Sequence, residues 1–100
     1  MVMIIYVDID ETICITPTSR DYSQAIPRPR QIEKINKLHK QGHTIIYWTA
    51  RGNTTGKDYS DLTLSQLKKW GAEFDRLERD IRKPQYDILI DDRTMRIEDL

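Results

Sequence analysis

The sequence is poor in the residues that build disulfide-linked, collagen-like or membrane-spanning proteins. It has one cysteine, four glycines and four prolines in 100 residues. Because Cys14 cannot form an internal disulfide, we expect a reducing compartment, the cytoplasm. The apolar start of the chain, residues 1–7, is too short for a signal peptide or a membrane span.

The formal net charge of the chain is zero, because 16 basic residues balance 16 acidic ones. A chain with no excess positive charge has no field to attract nucleic acid or an anionic membrane, so neither is expected as a partner. We expect one domain, residues 1–100, which at this size buries only a little over ~60% of its unfolded surface. With a hydrophobic fraction of 38%, the core should be thin and completed by contacts in a homo-oligomer, a dimer or tetramer.

The sequence does contain two pairs of aspartates, each directly after a short apolar run. Asp8 and Asp10 follow one run, and Asp91 and Asp92 follow another. β-Branched runs of this length predict buried strands, and the period of 2 along a strand would direct Asp8 and Asp10 to the same side. Carboxylates in a dry site repel one another unless a cation or proton lies between them. We therefore expect a four-carboxylate cluster that supports metal binding or acid–base chemistry.

The apolar pattern predicts strands that alternate with helices. Gly42 and Gly71 are helix stop signals, and residues 11–29, rich in Pro, Ser and Thr, predict an irregular loop or small flap. Alternating elements imply a parallel sheet, in which ligands lie beyond the carboxyl ends of the strands. Strands are predicted at residues 3–7, 43–48, 74–77 and 87–90, and helices at residues 30–41 and 58–70.

A phosphate monoester suits the residue types found at these strand ends. Its negative charges need a hard cation such as Mg²⁺, which prefers oxygen ligands. One aspartate can attack phosphorus, and the aspartate two residues on can protonate the leaving oxygen and later activate water. Hydroxyl and N–H donors can hold the transferring oxygens, and a lysine can offset their charge. The residues that supply these parts are Asp8, Asp10, Thr49, Lys83 and Asp91.

Four segments resemble the motifs of the haloacid dehalogenase-like (HAD) phosphatase superfamily, in the family's order and across essentially the whole chain. The first, Asp8-Ile9-Asp10-Glu11-Thr12, is followed by residues 48–52, 83–84 and 90–92. The resemblance implies an α/β fold, a three-layer Rossmann-like (HAD-like) sandwich. Its central, mainly parallel sheet would have about four or five strands, with no cap domain and a small flap at about residues 11–29.

The resemblance also implies a role for each matching residue. Asp8 would be the nucleophile and Asp10 the general acid and base, a residue that marks phosphatases and mutases rather than dehalogenases or ion-pumping ATPases. Lys83 would steady the phosphoryl charge, although it lies closer to the fourth motif than in many members. Arg82 and Lys57 are alternatives for that role. The implied Mg²⁺ ligands are Asp8, Asp10 (through its carbonyl), Asp91 and Asp92. The implied phosphoryl-binding residues are Thr49, Ala50 and Arg51.

Spacing excludes two other ligand-binding loops. A calcium loop beginning at Asp8 requires Gly and Glu where Ile13 and Ser19 stand. The segment 52–57 is unlike a nucleotide P-loop, because three residues instead of four separate its glycines and Asp58 follows the lysine. Structural alternatives stay open for two residues: Thr49 could cap the next element, and Lys83 could be a solvated surface lysine.

The sequence therefore predicts a Mg²⁺-dependent phosphomonoester hydrolase that acts on a small phosphorylated metabolite, a sugar phosphate or similar, through an aspartyl phosphate. Small capless HAD members with this flap and a Thr-Ala-Arg-Gly segment resemble proteins linked to capsule or surface polysaccharide synthesis. The alternatives are a phosphate-responsive, receiver-like or catalytically weak binding module, and a nucleotidase or phosphomutase on the same scaffold.

Overall fold

The computed structural model describes residues 1–79 and 82–100, and within them a four-stranded parallel sheet forms the centre of the fold. Short 3₁₀ helices lie at Tyr22–Gln24 and Ile97–Asp99. The strands and α-helices in chain order are β1 (Ile4–Asp8), β2 (Cys14–Ile15), β3 (Ile26–Pro27), α1 (Pro29–Lys40), β4 (Thr44–Trp48), α2 (Ser60–Lys69), β5 (Arg76–Glu78) and β6 (Ile88–Ile90).

The four predicted strands and two predicted helices are confirmed, with bounds that differ by one or two residues. Helix α1 begins at Pro29, whose fixed φ suits the first helical position. Helix α2 begins at Ser60, two residues after the predicted start. The Asp58 carboxylate accepts from the Ser60 N–H at 2.9 Å and forms a turn there. In the predicted flap, β2 and β3 pair as a short antiparallel ribbon.

The sheet has the order β5-β4-β1-β6. The chain moves outward from β1 to β4 and β5, then returns to place β6 on the other side of β1. The order of the strands therefore reverses between β1 and β6. In open parallel sheets ligands bind at such a reversal, outside the carboxyl ends of the strands. Here those ends carry Asp8 and Asp91.

The hydrophobic core lies on one face of the sheet. Alternate residues of β1 and β4 point into it, and α1 and α2 both pack there. In the described part of the chain the fold thus has two layers, and the helical layer that a three-layer sandwich requires on the second face is not found. The buried cluster includes Ile5, Val7, Ile32, Ile35, Ile45, Tyr47 and Leu67.

Aromatic side chains lie on the second face of the sheet. The Tyr6 ring meets Trp48 edge-on at 6.0 Å and lies 5.9 Å from the Tyr86 ring. The Tyr6 hydroxyl donates to a Glu78 carboxylate oxygen at 2.7 Å, which joins β1 to β5 across β4. Neither α1 nor α2 has the length and apolar character that a bilayer crossing demands.

Two tyrosines with opposite hydrogen bonding give a matched test of this packing. In residues 1–79 and 82–100 no atom forms a hydrogen bond with the buried Tyr47 hydroxyl, whereas the Tyr6 hydroxyl has Glu78. We expect Tyr47→Phe to raise the free energy of unfolding by up to ~1 kcal/mol, because an unpaired buried hydroxyl is costly. Tyr6→Phe should lower it by about 1 kcal/mol or more. Urea denaturation measures both, and a loss for Tyr47→Phe as large as for Tyr6→Phe would contradict the packing described.

Candidate functional site

Three carboxylates converge where β1 and β6 end. One oxygen from each of Asp8, Asp91 and Asp92 lies within 4.8 Å of the others, a spacing that could hold a metal ion. Asp8 is the last residue of β1, and Asp91 and Asp92 directly follow β6, so the parallel pairing of these strands brings them together. All three donors are hard oxygen ligands, the type that Mg²⁺ or Ca²⁺ prefers.

Within this carboxylate triad, the environment of Asp8 disfavours its ionised form. Burial, followed by the charge of Asp91, raises its pKa from 3.8 to about 7. The Thr12 hydroxyl, 3.3 Å from the carboxylate, donates to it and opposes the shift. A cation between the carboxylates would relieve the repulsion and favour the ionised form, and the three oxygens are close enough to hold one.

The Asp10 carboxylate lines the same cleft as Asp8, Asp91 and Asp92, but it is not one of the three carboxylates whose oxygens lie within 4.8 Å of one another. The period of 2 continues past β1, because Val7 and Ile9 both enter the core. Asp8 and Asp10 both line the cleft. The chain turns only after Asp10, where the N–H groups of Thr12 and Ile13 both donate to the Ile9 carbonyl. The metal-ligand role of the Asp10 backbone carbonyl stays a prediction from the resemblance.

Arg51 binds the Asp10 carboxylate as a two-pronged ion pair. Its Nη2 lies 2.8 Å from Oδ1 and its Nε lies 3.1 Å from Oδ2. The Thr16 hydroxyl also donates to this carboxylate. Burial alone would raise the pKa of Asp10, but the hydrogen bonds from Arg51 and Thr16 outweigh it and hold the pKa below its ordinary value. Asp8 and Asp10, two residues apart, thus have pKa values shifted in opposite directions.

Thr49 and Ala50 lie at the end of β4, at the same edge of the sheet. Thr49 is buried, and its hydroxyl oxygen accepts from the Arg51 backbone N–H at 3.0 Å. Ala50 is exposed and lines the cleft above the carboxylates. The hydroxyl of Thr49 therefore fixes the turn after β4, and its proposed contact with a phosphoryl group remains a prediction.

An open cleft of about 450 Å³ lies over these residues. Two cations that the sequence did not indicate, Arg20 and Arg93, contribute to its walls. The predicted site residues that line it are Asp8, Asp10, Ala50, Arg51, Asp91 and Asp92. Arg20 comes from the flap and forms an ion pair with Glu11 at 3.1 Å. No local sequence pattern predicts that either arginine lines the cleft, because the path of a loop brings each of them there.

The cations predicted to offset phosphoryl charge lie elsewhere in the described part of the chain. Lys83 is exposed and is not among the residues that line the cleft. The ammonium of Lys57 lies 5.2 Å from the centre of the Tyr59 ring, at the outer rim. Arg82 is likewise outside the lining. The role predicted for Lys83 thus has no geometric support here and stays a prediction from resemblance.

Comparison with known proteins identifies the fold but no family. No protein-family model and no curated protein matches the chain. A chain in the "Structure of Pnkp1/Rnl/Hen1 complex" aligns with 80% of this chain and 30% of its own length, with a TM-score of 0.61 and 20% identity. A chain in the "Structure of the Pnkp1/Rnl/Hen1 RNA repair complex" aligns with 95% of this chain and 28% of its own length, with a TM-score of 0.61 and 18% identity. The chain thus spans less than a third of each neighbour, and the likeness shows a shared fold.

The raised pKa of Asp8 predicts how stability depends on pH when no divalent cation is present. Because folding raises this pKa from 3.8 to about 7, the folded state binds the proton more tightly, and stability falls as pH rises through that window. Asp8→Asn removes the charge and should remove most of the fall. We expect the variant to melt several degrees above the wild type at pH 8 (about 4–8 °C per kcal/mol).

Thermal melts in EDTA between pH 5 and pH 8 measure this difference. Asp99→Asn is the control, because it deletes one carboxylate from an exposed residue and should keep the wild-type slope. The low pKa of Asp10 affects stability at lower pH, outside this range. Equal slopes for wild type and Asp8→Asn would contradict the environment described for Asp8.

The loop that borders the cleft after β4 depends on one glycine. Gly52 has φ +87°, and a Cβ there would lie 1.8 Å from the Lys57 carbonyl oxygen, whereas a Cβ at Gly56, with φ +75°, would meet nothing within 4 Å. Both alanine variants carry the left-handed penalty of ~1–2 kcal/mol. We expect Gly52→Ala to destabilise the fold by clearly more than Gly56→Ala in urea denaturation, since only it also forces the loop open. Equal losses would contradict this.

Proposed function

We propose that this chain is a Mg²⁺-dependent phosphomonoester hydrolase of the HAD type, acting on a small phosphorylated metabolite. The observation that carries the proposal is the convergence of Asp8, Asp91 and Asp92 at the point where the strand order reverses. Asp10 lies beside them in the same cleft and is held by Arg51. A nucleophile, a proton-transfer group and a cation-binding triad are thus available within one site.

The strand arrangement around the site is compatible with a HAD-like sandwich. A HAD-like sandwich places its nucleophile at the end of a central strand and its later acidic motif on the adjacent strand, as Asp8 and Asp91 are arranged here. We propose that the two described layers are the part of such a sandwich that surrounds the site. The alternation of strands and helices, and the flap formed by β2 and β3, support this assignment.

In the proposed first step, Asp8 attacks phosphorus. A new bond forms between a carboxylate oxygen of Asp8 and phosphorus, the bond to the leaving oxygen breaks, and that oxygen takes up a proton from water, because Asp10 is ionised at this stage. The Thr12 hydroxyl, which donates to Asp8, orients the attacking carboxylate. Mg²⁺, when bound by Asp8, Asp91 and Asp92, would offset the negative charge of the substrate and keep Asp8 ionised near neutral pH.

In the second step, water attacks the phosphorus of the aspartyl phosphate. Asp10 takes the proton from the water, the bond from phosphorus to Asp8 breaks, and the Asp8 carboxylate and inorganic phosphate are regenerated. Asp10 is suited to this step because its ion pair with Arg51 keeps it ionised. Arg20 and Arg93 line the cleft and, with the predicted Lys83 or its alternatives, are candidates to offset charge on the phosphoryl oxygens.

The substrate would be a small phosphorylated metabolite, a sugar phosphate or similar, bound near Thr49, Ala50 and the flap. The assembly would be a homo-oligomer in which a neighbouring subunit covers the open cleft. Exposed isoleucines support this, among them Ile88 on the outer strand β6, 39% exposed. A role in polysaccharide synthesis rests on the sequence resemblance.

A test of the function uses purified protein, Mg²⁺ and a panel of phosphate esters that contains sugar phosphates, nucleotides and phosphorylated acids. One fold neighbour is described as part of an RNA repair complex, so the panel includes an oligonucleotide with a terminal phosphate. We expect hydrolysis that EDTA abolishes and added Mg²⁺ restores. Asp8→Asn should lower kcat by at least ~10³-fold, because it removes the carboxylate oxygen that attacks phosphorus in the proposed mechanism.

Asp99→Asn is again the matched control and should keep wild-type activity. The phosphate-responsive binding module predicts a different result: one equivalent of product, followed by a long-lived phosphorylated protein. Comparable rates of hydrolysis by the wild type and Asp8→Asn would contradict the proposed role of Asp8 as the nucleophile.

A further inference from the structure

The Arg51 guanidinium is buried, and all of its hydrogen-bond donors are in use. Its side chain has no exposed surface. Nε and Nη2 hold the Asp10 carboxylate, and Nη2 also lies 3.9 Å from the Cys14 sulfur. Nη1 donates to Gln66 Oε1 at 2.6 Å and to Thr63 Oγ1 at 3.3 Å. A guanidinium has five N–H donors, so this arrangement leaves none for a substrate phosphate.

Gln66 of α2 connects Arg51 to the flap. Its amide oxygen accepts from Arg51, and its amide nitrogen donates to the Tyr22 carbonyl at 2.6 Å. The Tyr22 ring lies against the guanidinium, with its centre 4.7 Å from the Arg51 Cζ. One buried cation therefore joins the first motif, the loop after β4, helix α2 and the flap.

We infer that Arg51 is a positioning residue that aims the Asp10 carboxylate at the water that hydrolyses the aspartyl phosphate, and that Gln66 holds Arg51 in place. This inference rests on the proposed function. It replaces the earlier expectation that Arg51 binds substrate, because the side chain is saturated and enclosed. Asp10 remains the catalytic residue, and Arg51 acts through it.

The geometry explains why an arginine stands at this position. The planar fork of a guanidinium fixes both the direction and the rotation of a carboxylate, whereas a lysine ammonium is a point charge that fixes neither. Gln66 and Thr63 hold the opposite edge of the fork, so the Arg51 side chain cannot pivot. A carboxylate held in this way keeps one orientation towards the reacting centre, which proton transfer requires.

Arg51→Lys tests the inference by separating the two chemical steps. The substrate is p-nitrophenyl phosphate, whose leaving group needs little help from a proton donor, with Mg²⁺ present throughout. Because kcat/KM reports events up to formation of the aspartyl phosphate, it should change by less than about threefold. The second step should slow by ~10²-fold, so kcat and KM should fall together. The phosphorylated protein should then accumulate, seen as a burst of p-nitrophenol and as hydroxylamine-labile phosphate.

A merely structural role for Arg51 would lower kcat and kcat/KM in parallel without accumulation, and that result overturns the inference. Unchanged kcat overturns it as well. Wild-type protein that hydrolyses no ester overturns the proposed function and the inference with it. Active wild type combined with a parallel loss in Arg51→Lys overturns only the role of Arg51, so the two failures are distinguishable.

Two variants of Gln66 decide the question if Arg51→Lys does not fold. Gln66→Leu removes the acceptor for Arg51 and should reproduce the split between kcat and kcat/KM, with a loss of about tenfold or less. Gln66→Glu retains an acceptor for Arg51 while it loses the donor to Tyr22 and adds a negative charge, so it should lower kcat by less than Gln66→Leu does. Equal effects of Gln66→Leu and Gln66→Glu on kcat would contradict the positioning role.

Discussion

Parallel pairing of β1 with both β4 and β6 is the constraint on which the site depends. The pairing of β1 with β6 extends to Val7 and Ile90, so the next residues along each strand, Asp8 and Asp91, emerge side by side. Neither acidic residue could reach the other if β6 lay at the outer side of β5. The reversal of strand order around β1 thus brings two distant pieces of sequence into one group of carboxylates that could hold a metal ion.

Electrostatics then divides the acidic residues into two groups with opposite properties. Asp8 lies against Asp91, and burial followed by the charge of Asp91 raises its pKa to about 7. Asp10, two residues away, faces Arg51, and its pKa falls. Groups whose environments move their pKa values apart are suited to different roles. In the proposed mechanism, this separation suits Asp8 to bind next to a cation and Asp10 to accept a proton from water.

The burial of Arg51 explains how so small a fold maintains this separation. A buried cation is strongly destabilising unless it is paired and hydrogen-bonded on every side. Asp10, Gln66, Thr63 and the Tyr22 ring together meet that requirement. The same contacts attach the flap to the core, although β2 and β3 form only a short ribbon. The contacts that stabilise the buried Arg51 therefore also orient Asp10 and anchor the flap to the core.

The sequence by itself determined the helices and strands, because apolar periodicity, Pro29 and Gly42 act locally, and it determined that Asp8 and Asp91 follow apolar strands. Only the tertiary structure decided which face the helices cover, that Asp10 pairs with Arg51, and that the Arg51 side chain has no exposed surface. Those outcomes depend on contacts between residues far apart in the chain, such as Arg51 with Asp10 and Gln66. Periodicity carries no information about such contacts, since the turn after β1 and the path of the flap set them.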